Sequence, residues 1–299
     1  MLPSYLKLYK QNRLNSIKKN LITALENCRL CPRNCGVNRL NDECGFCGTG
    51  RYAIISSGGP HFGEEPPLVG RGGSGTIFIS RCNLGCIYCQ NYTISHLGQG
   101  EKVKPEVLAK MMLYLQKVGC ENINFVTPTH VIAQIVEALP LAIEGGLKLP
   151  LVYNSGGYDK VETLKEIEGV FDIYMPDAKY AEGSQAKKYS AAEDYWDICR
   201  EAISQMHKDV GDLVIDENGI ALRGLLIRHL ILPNNIAGSF EVLDFIAKSI
   251  SRNSYVNIMD QYRPCFKARD YPEINRPITP DEYKKVIDYA LRLGLHRGF

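Results

Sequence analysis

The chain has 299 residues, with 35 Lys and Arg against 33 Asp and Glu and a formal net charge of +2. That length suits one large domain with a small appendage and a full core. No long basic run marks nucleic acid as an obligatory partner, though a local basic pocket is compatible with it. No apolar stretch reaches the roughly 18 residues of a membrane span. The first residues lack a secretory leader pattern, so the expected location is cytoplasmic. In such a chain, eleven cysteines, eight of them within the first 89 residues, read as metal ligands rather than disulfides.

Residues 1–27 carry a helical pattern, with Ile17, Leu21, Ala24 and Leu25 on one face. Residues 28–50 are poor in apolar side chains, so a metal is the expected organiser. Cys28, Cys31, Cys35, Cys44 and Cys47 supply one thiolate more than a four-coordinate site needs. Zinc would clip the segment, whereas a second [4Fe–4S] cluster would tune or relay electrons. The spacing does not choose between them. Residues 51–74 are rich in Gly and Pro and read as an extended connector. The expected divisions are 1–55 (helix and Cys-rich segment), 56–74 (connector) and 75–299.

From residue 75 the pattern alternates. Strands are expected at 75–80, 122–127, 149–154, 171–176, 225–232 and 254–259. Helices are expected at 104–118, 130–142, 158–168, 186–208 and 240–250. A last helix opens at Thr279-Pro280-Asp281-Glu282 and runs to about 293. Strands joined by crossover helices imply an α/β fold with a parallel sheet, either open and doubly wound or a partial (β/α)6 barrel. In a barrel, function gathers in the loops after the strands.

The first of those loops holds Arg81-Cys82-Asn83-Leu84-Gly85-Cys86-Ile87-Tyr88-Cys89. Three thiolates in one loop can hold three irons of a cubane and leave the fourth open for chemistry. A structural zinc knuckle usually uses paired Cys-x2-Cys units, which this loop lacks.

Arg81–Asn91 resembles the cluster loop of the radical S-adenosylmethionine (SAM) superfamily. Tyr88 before the last cysteine and Gln90-Asn91 after it resemble the activating-enzyme branch, the relatives of pyruvate formate-lyase activase. Two further stretches, Cys-x2-Cys-Pro-Arg-x-Cys-Gly-Val-Asn-Arg near the N-terminus and Pro60-His61-Phe62-Gly63-Glu64-Glu65-Pro66-Pro67, resemble the PflX-like group within that branch. The resemblance runs from about Cys28 to Pro264. It implies a partial barrel with a [4Fe–4S] cluster on Cys82, Cys86 and Cys89, SAM on the open iron, and hydrogen abstraction by a 5′-deoxyadenosyl radical. It also implies oxygen sensitivity and an external donor such as flavodoxin or ferredoxin. Cys47 is implied as the partner of Cys28, Cys31 and Cys35, whereas the symmetry of the Cys-x2-Cys pairs would favour Cys44 with Cys47.

The strand-end clusters supply cofactor candidates. Thr127-Pro128-Thr129-His130 lies where activase relatives carry a Gly-Gly-Glu-Pro motif that receives the SAM amino group. The carbonyl near Val126 or the Thr127 hydroxyl would take that role, with Thr129 a candidate helix cap. Asn154-Ser155-Gly156-Gly157-Tyr158 can approach SAM closely. Asp177-Ala178-Lys179 resembles the activase Asp-Leu-Lys motif, with Lys179 neutralising the SAM carboxylate. Arg228-His229 resembles the activase Arg-x-x-x-Pro region, and strand alternation puts only one of the two inward. Tyr88 is a candidate to pack beside the cofactor or in the core, Gln261 and Tyr262 are candidates for the substrate mouth, and Cys265 is a candidate hydrogen donor or ligand. The leading specific expectation is activation of a glycyl radical enzyme. The alternatives are radical SAM modification of another protein, an RNA or a small molecule, and a non-catalytic metal-stapled interaction module.

Overall fold

A computed structural model describes residues 2–299. Its strands are β1 (Ala53–His61), β2 (Ser74–Ile79), β3 (Glu101–Val103), β4 (Ile123–Val126), β5 (Leu151–Ser155), β6 (Ile173–Pro176), β7 (Val214–Ile215), β8 (Ala221–Leu230) and β9 (Tyr255–Met259). β2, β4, β5, β6, β8 and β9 pair in parallel in that order. They coincide with the six expected strands, and helices cross between most of them. β9 pairs with β8 and bridges Arg297 through Tyr255, and β1 covers the other edge of β2, so the sheet does not close into a full barrel. This is the partial (β/α)6 barrel, with small antiparallel additions.

One addition corrects the expectation for residues 51–74. That segment is not a free connector. β1 runs antiparallel to β2, from Ile55 opposite Ile79 to His61 opposite Ser74, and β3 extends the edge beyond it. The chain then turns under the barrel. The short helix Pro66–Val69 inserts Leu68 among Val152, Ile173, Met175 and Leu226. The Asn122 side chain donates to the Leu68 carbonyl at 2.8 Å. Residues 62–73 are thus a plug at the N-terminal ends of the strands. Its sharp return needs Gly72, where a Cβ would stand 1.7 Å from the Gly119 carbonyl oxygen.

The N-terminal helical pattern is two helices, Ser4–Lys10 and Arg13–Thr23, broken at Asn12 with φ 57°. Leu14, Ile17, Leu21 and Leu25 are buried, while Ala24 is half-buried. The Ser4 hydroxyl and N–H donate to Asp172 and the Tyr5 hydroxyl to the Leu149 carbonyl, pinning this segment beneath β5 and β6. The expected helix at 186–208 is two, Gly183–Ser190 and Tyr195–Val210, because Ala191 adopts φ 56° between them. The last helix, Pro280–Arg292, carries a full capping box between Thr279 and Glu282.

Candidate active site

The cluster loop leaves β2 at its C-terminal end. Arg81 turns the chain at φ 71°, and its guanidinium donates to the His96 carbonyl at 2.9 Å. Each thiol that follows accepts one hydrogen bond. The Leu84 N–H reaches Cys82 Sγ at 3.3 Å, the Ser190 hydroxyl reaches Cys86 Sγ at 3.0 Å, and the Ser95 hydroxyl reaches Cys89 Sγ at 3.2 Å. Donors aimed at sulfur favour the thiolate and tune a bound metal. Burial, by contrast, pushes the Cys82 and Cys86 thiols up when nothing is bound. A bound cation removes that cost by deprotonating the thiols outright.

All three cysteines open onto one cavity of about 650 Å³ inside the barrel. Tyr88, Thr127, Asn154, Ser155, Asp177, Lys179 and Arg228 line the same cavity, as do Gln261 and Tyr262; Cys265 does not. Tyr88 is buried against the rings of Tyr180 and Tyr262 and accepts from the Tyr180 hydroxyl at 2.7 Å. Thr127 sits at φ 65°, a costly conformation for a β-branched residue and one concentrated at functional sites. Its N–H donates to the Asn154 carbonyl at 2.8 Å.

Arg228 ties the polar wall together. Its Nε donates to Asp177 Oδ1 at 2.8 Å and its Nη2 to Asn154 Oδ1 at 2.8 Å. Lys179 Nζ reaches the other Asp177 oxygen at 2.5 Å. Burial opposes ionisation of Asp177, but Arg228 and then Lys179 outweigh it and hold the carboxyl below its ordinary value. Burial likewise works against the Lys179 cation, and Asp177 and the Cys86 sulfur overcome it. Strand alternation turns His229 out of the cavity, into the core. There its Nδ1–H donates to the Ala178 carbonyl at 2.6 Å, and Nε2 accepts from the Ser239 hydroxyl at 2.8 Å.

Some expected roles move. The Thr129 hydroxyl caps no helix; it donates to Asp159 at 2.6 Å. The hydroxyls of Tyr153 and Ser155 also donate to Asp159, so Ser155 lies in the cavity wall with its hydroxyl turned away. Asp159 is a hub that sequence reasoning missed, since a single Asp after a Gly-Gly turn carries no pattern. His130 is buried, binds the Ser80 carbonyl through Nε2, and does not line the cavity. Glu64 and Glu65, quoted above only as part of a resemblance, also face the cavity.

At the N-terminal cluster, Cys28, Cys31, Cys35 and Cys47 surround one small cavity with Arg39. Cys44 lies outside it, exposed, with its thiol 3.6 Å from the Asp42 carbonyl. Arg39 is buried and holds Nη1 3.8 Å from Cys28 Sγ, a fixed cation beside the thiols. Among the described residues no three His, Cys, Asp or Glu side chains converge as a single-ion site. The segment abuts the cluster loop: Arg33 Nε donates to the Asn83 carbonyl at 2.9 Å.

The sequence pattern of the radical SAM superfamily matches residues 76–182. The uncharacterized protein MJ0674 of Methanocaldococcus jannaschii is 33% identical over 302 residues, covering 95% of this chain and 82% of that protein. The uncharacterized protein MJ0808 of the same organism is 22% identical, covering 91% and 78%. Among solved structures, the FeFe-hydrogenase maturase HydG from Carboxydothermus hydrogenoformans is 14% identical with TM-score 0.49, covering 72% of this chain and 49% of that one. Native anSMEcpe with bound AdoMet and Cp18Cys peptide is 12% identical with TM-score 0.49, covering 71% and 56%. The chain therefore spans only about half the length of those solved proteins. The chain belongs to the radical SAM superfamily and is an enzyme of that class, so the reading as a non-catalytic module falls.

Proposed function

We propose that Cys82, Cys86 and Cys89 hold a [4Fe–4S] cluster with SAM on its open iron. One observation carries this: three hydrogen-bonded thiols open onto the same cavity as the Asp177–Lys179–Arg228 network. When bound, these groups supply one-electron cleavage of SAM to methionine and a 5′-deoxyadenosyl radical that takes a hydrogen atom from the substrate. The chain's own residues position and enclose. Lys179 offers the SAM carboxylate a cation, Asn154 and Tyr88 shape the adenosine and methionine walls, and the twisted backbone at Thr127 presents carbonyls to the amino group. Asp177 keeps Lys179 and Arg228 charged and fixed, so little reorganises on binding. The electron comes from an external donor of the flavodoxin or ferredoxin kind.

The leading substrate reading is activation of a glycyl radical enzyme. The unclosed sheet supports it, because the cavity inside it is not sealed by a continuous ring of strands and a peptide segment can approach it. Modification of another protein, an RNA or a small molecule is the alternative. Cys28, Cys31, Cys35 and Cys47 would hold a second centre, zinc or [4Fe–4S], against the cluster loop.

The test is anaerobic reconstitution with iron and sulfide, dithionite reduction, and quantification of 5′-deoxyadenosine beside a Cys86→Ala control. Product from the intact protein alone is expected. A protein that keeps zinc and forms no cluster overturns the reading. With a candidate partner present, an EPR doublet on that partner supports activation, and a stable mass change supports modification.

A further inference from the structure

The cavity floor is acidic, and nothing in the proposed handling of SAM uses it. Glu64 and Glu65 enter from the plug, below the cysteines and on the side of β8 and β9. Their side chains are only 8% and 5% exposed. Glu65 Oε1 accepts from Asn257 Nδ2 at 3.0 Å, which bridges the open edge of the barrel, while Oε2 is buried without a partner. The nearest cation, Arg228, keeps Nη1 3.9 Å from Glu64 and 3.8 Å from Glu65, too far for a hydrogen bond, because Asp177 and Asn154 already hold its fork. Three carboxylates thus face the cavity against the cations of Arg228 and Lys179. A buried carboxylate with an orphaned oxygen is costly unless a donor or cation completes it.

We propose that Glu64 and Glu65 form a cation subsite on the cavity floor that takes a protonated amine or guanidinium of the substrate. This rests on the radical SAM reading only for the word substrate; the subsite itself is a property of the plug. Its place argues against the SAM ammonium as occupant, since the pair contacts Arg228 and Asn257 on β8 and β9 rather than the cysteine loop and Thr127. The protonation of Glu64 agrees. Burial pushes its carboxyl up to about 7, with Arg228 opposing and both the charge of Glu65 and a Glu64–Glu65 hydrogen bond reinforcing, so without a cation the pair holds a proton in its place. An arriving cation would complete Glu65 Oε2 and ionise Glu64.

The experiment is calorimetric titration of n-butylguanidinium and its neutral isostere N-butylurea into the anaerobic, SAM-loaded protein. Saturable binding of the guanidinium is expected, at least about tenfold weaker or absent for N-butylurea and for Glu64→Gln and Glu65→Gln. Gln keeps the shape and one acceptor, and a matched melting profile shows that the variants fold. The comparison of the two probes on the unsubstituted protein needs no variant. Equal binding of both probes, or guanidinium binding that competes with SAM, overturns the proposal. Failure of the radical SAM reading would show separately, as a protein that keeps zinc and forms no [4Fe–4S] cluster whatever the probes do.

Discussion

At the scale of single residues, the charge state of a buried group follows from what faces it. Lys179 is held cationic by Asp177 at the cavity wall. Lys179→Met should weaken SAM binding at least about tenfold, read by calorimetry on reconstituted protein, since a charge-assisted contact is worth roughly 1.5–3 kcal/mol. Unchanged affinity would remove Lys179 from the site. His229 is the opposite case, a buried ring kept neutral. Burial lowers its pKa to about 4, although the Ala178 carbonyl opposes this. The unfolded chain therefore takes up its proton first, near pH 6.5, and stability falls as pH drops from there toward 4. At pH 5 this group alone should cost about 2 kcal/mol relative to pH 7. Denaturant melts of the protein and of His229→Gln across that range should show a shallower acid slope in the variant. The sequence foretold that Arg228 and His229 would part, because a strand's side chains alternate. It did not foretell Asp159, whose three hydroxyl partners come from three separate positions along the chain.

At the scale of elements, the plug and the strand-end turns decide the shape of the cavity. Leu68 is fully buried among inward side chains of β5, β6 and β8. Leu68→Ala should cost about 3 kcal/mol in urea unfolding and loosen the floor that carries Glu64 and Glu65. A loss below about 1 kcal/mol would mean the plug is not packed as described. Gly157, at φ 75°, lets the turn after β5 pass under the loop after β6; a Cβ there would lie 2.1 Å from the Asp177 carbonyl oxygen. Gly157→Ala should displace Asp177 and Lys179, so its loss of SAM affinity should approach that of Lys179→Met. The strands were legible because each is a short β-rich run between turn signals. The segment 51–74 misled because its glycines and prolines read as a linker. In the fold they permit an antiparallel edge strand and a tight plug, both held by partners remote in the chain.

At the scale of the whole molecule, two cysteine-rich segments meet at one end of an open barrel. Arg33 reaches across from the N-terminal segment to the carbonyl of Asn83, between Cys82 and Cys86. Cys47→Ala should remove one metal centre and leave the other, whereas Cys44→Ala should remove none. Iron, sulfide and zinc analysis of anaerobic protein checks this, and loss of metal on changing Cys44 would rearrange the assigned ligands. The sequence by itself determined the superfamily loop, the six parallel strands and the cavity-lining positions Asp177, Lys179 and Arg228. These are local signals: cysteine spacing within one loop, apolar runs, and polar residues just beyond strand ends. Only the tertiary structure decided which four of five N-terminal cysteines share a cavity, that Ser155 and Thr129 turn to Asp159, and that Glu64 and Glu65 form the floor. Each of those depends on which distant segments the barrel brings within hydrogen-bond reach, and no spacing along the chain encodes that distance.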